Sequence, residues 1–357
     1  MAPRGVLGRI RSLRLRTLPA SLRRLLLAVG KRDLLGGRPL KTIVVGCGSW
    51  GSVFAVLLAE RGHDVTLACR DPEQARAIAV NGRNPRYLTD LELQGVGAAP
   101  LAAALLGDAD LVCLAIPSRA YREVAEGLPP DARILSLTKG LDPTSGDRLS
   151  QVVGDRQIAV LSGPNHAEEI ADGLPAAAVI ASEDERFATE LQHELISPRF
   201  RVYVNTDLVG VELCAAAKNV IALAAGAVDG LRLGDNAKAA LMARGLSEMI
   251  RLGEAYGARA ETFAGLAGMG DLVVTCWSRH SRNRRAGELI ARGASPEEAK
   301  AEIGMVIEGL TTAPVLRDLA HRLGIELPIT EGVCAVLGGA SLSDLISGLM
   351  GRRPTDE

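Results

Sequence analysis

The 357-residue chain is longer than one hydrophobic core usually serves, and 47% apolar with 23% charged residues marks it as globular rather than disordered. The formal net charge of −1 hides an asymmetry: residues 1–41 hold eleven Lys or Arg and one acid, Asp33, so the remainder carries 30 basic and 41 acidic residues. An acidic body gives no nucleic-acid signal, and six scattered cysteines (47, 69, 113, 214, 276, 334) form no metal-type pair; they read as buried thiols in a reducing compartment, with no metal site.

The basic residues of segment 1–40 (Arg9, Arg11, Arg14, Arg16, Arg23 and Arg24 among leucines) suit three readings. The segment is a disordered extension, an organellar transit peptide, or a basic surface in contact with a membrane; the first is preferred. Its Leu25-Leu26-Leu27 patch is too short to span a bilayer.

Beyond it, the β-branched run Ile43-Val44-Val45 leads directly into Gly46-x-Gly48-x-x-Gly51, and an apolar helical pattern follows. That strand–turn–helix context is what a dinucleotide fingerprint requires. Gly46 permits a sharp turn, Gly48 lets a pyrophosphate approach the backbone, and Gly51 lets the helix pack against the strand. Further strands are expected at 64–69, 110–116, 133–138, 157–162, 176–182 and 200–204, separated by helices. This pattern implies a doubly wound parallel, Rossmann-type sheet over residues 41–206. From 207 to 350 the periodicity is helical: 207–228, 237–256, 281–292, 295–302, 311–323 and 341–349 all qualify, and no strand pattern appears. An all-helical second domain is expected, its long first helix capped by Thr206 or Asp207.

Several side chains stand out chemically. Arg70, at the end of the second strand, suits the 2′-phosphate of NADP, although the following Asp71 keeps an NAD site open. Lysine is scarce: six residues against 35 arginines. Lys139 follows a buried strand, at the sheet edge where ligands bind in open α/β folds. Lys218, in Cys214-Ala-Ala-Ala-Lys-Asn-Val-Ile221, must find polar partners or face a cleft. Unlike arginine, a lysine gives up its proton readily. Ser281-Arg282-Asn283-Arg284-Arg285 places an N-cap and arginines at a helix start, an arrangement suited to phosphate. Asp271, in Gly268-Met-Gly-Asp-Leu272, either orients a lysine, binds a hydroxyl or caps a helix.

Together these segments resemble the bacterial-type NAD(P)-dependent glycerol-3-phosphate dehydrogenases. The likeness runs from about residue 41 to 340. It rests on Gly46-Cys-Gly-Ser-Trp-Gly51, Thr138-Lys-Gly140, Leu161-Ser-Gly-Pro164, Ala217-Lys-Asn-Val220, Gly268-Met-Gly-Asp-Leu272, Ser281-Arg-Asn-Arg-Arg285 and Val306-Ile-Glu-Gly309. The resemblance implies a cytoplasmic enzyme, expected as a homodimer, that reduces dihydroxyacetone phosphate to glycerol 3-phosphate for glycerophospholipid synthesis. NADP(H) would be preferred and NAD(H) possible. Lys218 would transfer the proton, with Lys139 and Asp271 beside it. Gly163, Asn165, Ser281, Arg282 and Asn283 would join these three around the substrate. Ser49, Trp50, Arg70, Lys139, Ala167, Arg282, Val306 and Glu308 would meet the cofactor along with Gly46, Gly48 and Gly51. Asn165-His166 departs from the family's usual Ser/Thr-Phe. Two other readings are another two-domain β-hydroxyacid or ketoacid reductase and a non-catalytic cofactor-sensing protein.

Overall fold

A computed structural model describes residues 38–342. The basic extension up to residue 37, and the helix expected at 341–349 beyond residue 342, lie outside the described residues. Eight strands form one sheet: β1 (Lys41–Val45), β2 (Asp64–Cys69), β3 (Val96–Pro100), β4 (Leu111–Leu114), β5 (Ile134–Ser136), β6 (Ile158–Ser162), β7 (Ala176–Ala181) and β8 (Phe200–Asn205). Their spatial order is β3-β2-β1-β4-β5-β6-β7-β8. The order reverses between β1 and β4, and ligands of open α/β sheets bind beside such a switch point. Apolar clusters cover both sheet faces, which is why the central strands read as unbroken apolar runs.

Helix α1 (Ser49–Glu60) follows β1, α2 (Pro72–Asn81) follows β2, and α3 (Glu185–Leu195) lies between β7 and β8. The expected parallel sheet holds except at one pair: β7 runs antiparallel to β6. A parallel return needs a crossover long enough to traverse the sheet. The only helix between these strands is the five-residue turn Ala167–Ala171, which packs against α1 instead. Strand β3 escaped the sequence reading because Val-Gly-Ala-Ala-Pro is a poor strand former; it survives as a partly exposed edge.

The helical half begins with α4 (Leu208–Gly230), where the Asp207 carboxylate accepts from Gly210 N as the N-cap. It continues with α5 (Gly234–Ala255), a π-helical turn Leu266–Gly270, α6 (Asp271–Trp277), α7 (Arg282–Ala291), α8 (Pro296–Ile303), α9 (Glu308–Leu323) and α10 (Pro328–Leu337). Helix α4 is long and apolar enough to cross a membrane, but 89% of its apolar window is buried inside the protein. It is the hub of the third core, whose side chains include Val160, Val179 and Ala181 of the sheet. That shared core fixes α4 against β6 and β7.

One expectation about the cysteines is corrected. Cys47 and Cys69 are joined by a disulfide, whereas Cys113, Cys214 and Cys276 are buried thiols and Cys334 is a half-buried one. The glycine turn after β1 and the end of β2 lie side by side, so two residues 22 positions apart meet. Sequence spacing alone carried no sign of this.

Candidate active site

Lys139 extends from the carboxyl end of β5, and its Nζ donates to Asp271 Oδ2 (2.8 Å), Asn165 Oδ1 (2.9 Å) and the Gly163 carbonyl (3.2 Å). Lys218, on α4, reaches the same carboxylate from the opposite side: its Nζ bonds Asp271 Oδ1 and donates to Thr275 Oγ1 at 2.9 Å. Asp271 is the first residue of α6 and is 2% exposed; Lys218 is 4% exposed. Asp271 is thus a bridge between two ammonium groups rather than a mere helix cap. Five residues flagged in the sequence (Lys139, Gly163, Asn165, Lys218 and Asp271) form one hydrogen-bonded cluster where the two halves of the chain meet.

Two ammonium groups facing one carboxylate, Lys218 buried and Lys139 partly exposed, leave a surplus of positive charge that an anionic ligand would relieve. Burial weakens the hold of Lys218 on its proton, bringing its pKa down to about 7 despite the attraction of Asp271. Burial works the other way on Asp271, but the two lysines outweigh it and hold that carboxyl at about 2. A lysine near pH 7 beside a permanently ionised partner is poised to give and take a proton.

The sequence reading missed Thr275, Ser162 and Ser118. Thr275 lies one turn after Asp271 on α6, accepts from Lys218 and donates to Asp271 Oδ1 at 3.2 Å. The i, i+4 spacing could have revealed it. Ser162 Oγ donates to Asp271 Oδ2 at 3.2 Å. His166, standing where the family has a bulky aromatic, is half-buried with Nε2 3.4 Å from the Val274 carbonyl. Burial lowers its pKa, and Lys218 adds to that effect.

A second group forms around the start of α7. Ser281 Oγ caps that helix by accepting from Arg284 N, leaving its own hydrogen to donate elsewhere. The Asn283 side chain donates to Asn219 Oδ1 (2.9 Å) and accepts from Gly309 N (2.9 Å), which pins α7 to α4 and α9. Arg282 is exposed and grips the Val306 carbonyl at 2.9 Å. Arg284 is engaged elsewhere, bonding Asp229 and the Ser278 carbonyl. Glu308, the first residue of α9, accepts from both the backbone N–H (3.1 Å) and the hydroxyl (2.6 Å) of Ser118, just beyond β4. This clamp adjoins Lys139: a Cβ on Gly140 would lie 3.0 Å from that of Ser118 and 3.2 Å from Glu308 Oε2.

The third group is the glycine turn. Gly46 has φ +111°, a conformation that glycine tolerates and side chains resist. A Cβ on Gly51 would run into the Gly46 carbonyl, so only glycine allows α1 to start here. A Cβ on Gly48, by contrast, would meet nothing within 4 Å. Ser49 and Trp50 open the helix behind that space, and the buried indole N–H of Trp50 has no partner among the described residues. Ala167 opens its short helix and is buried. At the end of β2, Arg70 is exposed with no hydrogen bond or ion pair among the described residues. Asp71 is already engaged, capping α2 through Glu73 N and pairing with Arg86.

An open glycine turn at a helix N-terminus, at the edge of a doubly wound sheet, with a buried lysine–carboxylate cluster where that sheet meets a helical domain, fits a nicotinamide-nucleotide oxidoreductase. The N-terminal and C-terminal models of NAD-dependent glycerol-3-phosphate dehydrogenase match residues 41–188 and 207–347, and the chain belongs to that family. It is 48% identical over 324 residues to glycerol-3-phosphate dehydrogenase [NAD(P)+] of Moorella thermoacetica, covering 88% of this chain and 96% of that one. Over 328 residues it is 44% identical to the Bacillus cereus (strain AH187) enzyme of the same name, covering 87% and 96%. The crystal structure of glycerol-3-phosphate dehydrogenase from Coxiella burnetii superimposes with a TM-score of 0.84 at 38% identity, covering 88% of this chain and 99% of that chain.

Proposed function

We infer that the chain reversibly reduces dihydroxyacetone phosphate to sn-glycerol 3-phosphate with NADPH as the preferred donor, and that Lys218 moves the proton. The observation that carries this reading is the buried Lys218–Asp271–Lys139 cluster at the junction of the two domains. A bound nicotinamide supplies hydride to the substrate carbonyl carbon. The carbonyl oxygen then gains negative charge, which the Lys218 ammonium stabilises and quenches by transferring its proton. Asp271 and Thr275 hold that ammonium in place. Lys139 adds a second positive charge, shared among Asp271, Asn165 and the Gly163 carbonyl. In the reverse direction the neutral amine of Lys218 accepts the hydroxyl proton.

Ser281, Arg282 and the N-terminus of α7 suit the substrate phosphate, the helix offering N–H groups and the arginine its charge. Asn283 supports them by fixing the helix. The residues of the glycine turn fit a dinucleotide, with open space at Gly48 for the pyrophosphate. Ser49 and Trp50 adjoin it, and Ala167, Val306 and Glu308 are assigned to the cofactor with them, Glu308 lying next to Gly140. Arg70, unpartnered among the described residues where Asp71 is not, favours the 2′-phosphate of NADPH over the bare ribose of NADH.

The family likeness supports a cytoplasmic role feeding glycerophospholipid synthesis, and a homodimer, which the solution mass tests. A β-hydroxyacid reductase is not favoured, since it has no use for a phosphate clamp. The deciding assay is NADPH oxidation with dihydroxyacetone phosphate against unphosphorylated dihydroxyacetone. Turnover of the phosphorylated ketone alone is expected; equal turnover of both would overturn the phosphate assignment. Arg70→Ala should raise KM for NADPH roughly tenfold or more, the value of one charge-assisted contact, and barely change that for NADH. Equal losses would move the 2′ recognition elsewhere.

A further inference from the structure

The Cys47–Cys69 disulfide joins the two turns that shape the adenosine half of the proposed cofactor site. Cys47 is the middle residue of Gly46-x-Gly48, and Cys69 is the last residue of β2, immediately before Arg70. One end of the bond belongs to the pyrophosphate turn and the other to the residue that reads the ribose 2′ position.

Three observations argue that the bond does more than staple the sheet. First, β1 and β2 are already paired from Lys41↔Asp64 to Val45↔Ala68, and Gly46 N donates to the Ala68 carbonyl at 3.0 Å. The covalent link begins where the strand hydrogen bonds between them end. Second, the Cys47 carbonyl is independently held by Gln74 Nε2 (3.0 Å) and Asn84 Nδ2 (2.9 Å), so the glycine turn keeps its shape without the bond. The backbone on either side of Arg70 is also anchored, Leu101 N donating to the Cys69 carbonyl at 2.9 Å and Asp71 capping α2; what is left free at this turn is the Arg70 side chain, held by nothing among the described residues. Third, three other cysteines are buried thiols. A single disulfide in a cytoplasmic enzyme is more often redox-responsive than structural.

We propose that this disulfide is a redox switch on cofactor selectivity: oxidised, it holds Arg70 against the 2′-phosphate of NADPH; reduced by a dithiol, it releases that grip. The proposal rests on the reading of Arg70 as the 2′-phosphate contact. Both sulfurs lie in the apolar cluster beneath the turns, Cys47 at 7% exposure and Cys69 at 0%. Unbonded sulfurs must stand at van der Waals separation, about 3.5–4 Å. A close-packed interior has no slack for that, so the end of β2 shifts and carries Arg70 with it.

The exchange balances as follows. A thiolate of the dithiol attacks the sulfur of Cys47, the more exposed end; the S–S bond breaks and Cys69 leaves as a thiolate that takes a proton. The second thiolate of the reductant attacks the mixed disulfide, freeing Cys47 as the second thiol. The protein gains two electrons and two protons, and the dithiol becomes a disulfide. A dinucleotide lying over the turn covers Cys47. By linkage, if reduction weakens NADPH binding, NADPH must favour the oxidised protein.

The test uses the full chain, prepared oxidised and after treatment with dithiothreitol, with alkylation and mass measurement to count free thiols. KM for NADPH and for NADH is measured at saturating dihydroxyacetone phosphate. Reduction should raise KM for NADPH about five- to tenfold, part of what losing the whole charge-assisted contact costs. KM for NADH and kcat should change less than about twofold. Cys69→Ser should match the reduced protein and ignore dithiothreitol, and excess NADPH should slow reduction of the wild-type bond. A reduced protein with a lower melting temperature but an unchanged NADPH/NADH ratio would make the bond purely structural and overturn the proposal, as would an equal loss for both cofactors. If Arg70→Ala leaves KM for NADPH unchanged, the 2′-phosphate reading fails, a result separable from the redox arm because it appears in the oxidised protein.

Discussion

A lysine that must donate a proton in one direction and accept it in the other needs an affinity for protons near the working pH. Burial supplies that for Lys218, and Asp271 keeps the cost of the buried charge tolerable. Lys218→Ala should therefore lower kcat for dihydroxyacetone phosphate reduction by on the order of 10²–10⁴-fold, while NADPH fluorescence still reports cofactor binding. Lys218→Arg should be nearly as inactive, because a guanidinium keeps its proton; near-normal turnover would mean that charge alone suffices. The pH profile carries the same logic. Reduction requires the ammonium, so its kcat should fall about tenfold per unit as pH rises beyond about 7. Oxidation of glycerol 3-phosphate requires the free amine and should rise through the same value. Profiles that move together would assign the titration to another group. The two lysines were legible in the sequence because the chain so rarely uses that residue. The shared carboxylate was only one of three readings of Asp271, since nothing along the chain says that residues 139, 218 and 271 converge.

At the level of elements, the site depends on how closely α7 crosses α4. A Cβ on Gly287 would run into the Leu223 carbonyl, and one on Gly226 into that of Arg284. These paired glycines bring the two backbones together, and Asn283 then bonds Asn219, the residue next to Lys218. The crossing thus sets the distance between the proposed phosphate end and the proton donor. Gly287→Ala should push the helices apart, costing roughly 1–3 kcal/mol of stability. KM for dihydroxyacetone phosphate should rise more than KM for NADPH. Denaturant titration and steady-state kinetics check both, and a stable variant with unchanged KM would show that the crossing tolerates the methyl group. Long helices and buried central strands were legible because their periodicity or apolarity is strong. The edge strand β3, the antiparallel β7 and the π turn before Asp271 were not, because each is dictated by neighbours rather than by its own residues.

Among the connections between the two halves in the described residues, two outside the lysine cluster differ in kind. Ser118–Glu308 lies beside Lys139 and belongs to the site. Arg148–Glu212 is a separate weld: the Glu212 carboxylate accepts from Arg148 Nη1 (2.7 Å), Ser150 N (2.8 Å) and Ser150 Oγ (2.6 Å). It joins the start of the short helix Leu149–Val152 on the sheet side to α4. Glu212 is 4% exposed, and burial raises its pKa even against the pull of Arg148. Removing one partner leaves the other charge buried without compensation, which typically costs 3–5 kcal/mol. Glu212→Ala should therefore lower the free energy of unfolding by about that amount, read from denaturant titration. None of its bonds reaches Lys139, Lys218 or Asp271, so kcat at a temperature where the variant stays folded should remain within about twofold of wild type. Ser118→Ala, at the other connection, is the contrasting control: it removes one hydrogen bond to the half-buried Glu308 carboxylate at the site and should raise KM for NADPH with little change in the unfolding midpoint. If Glu212→Ala instead abolished turnover in the folded state, the weld would be part of the catalytic geometry, and the two halves would have to be regarded as one rigid unit rather than two domains pinned in separate places.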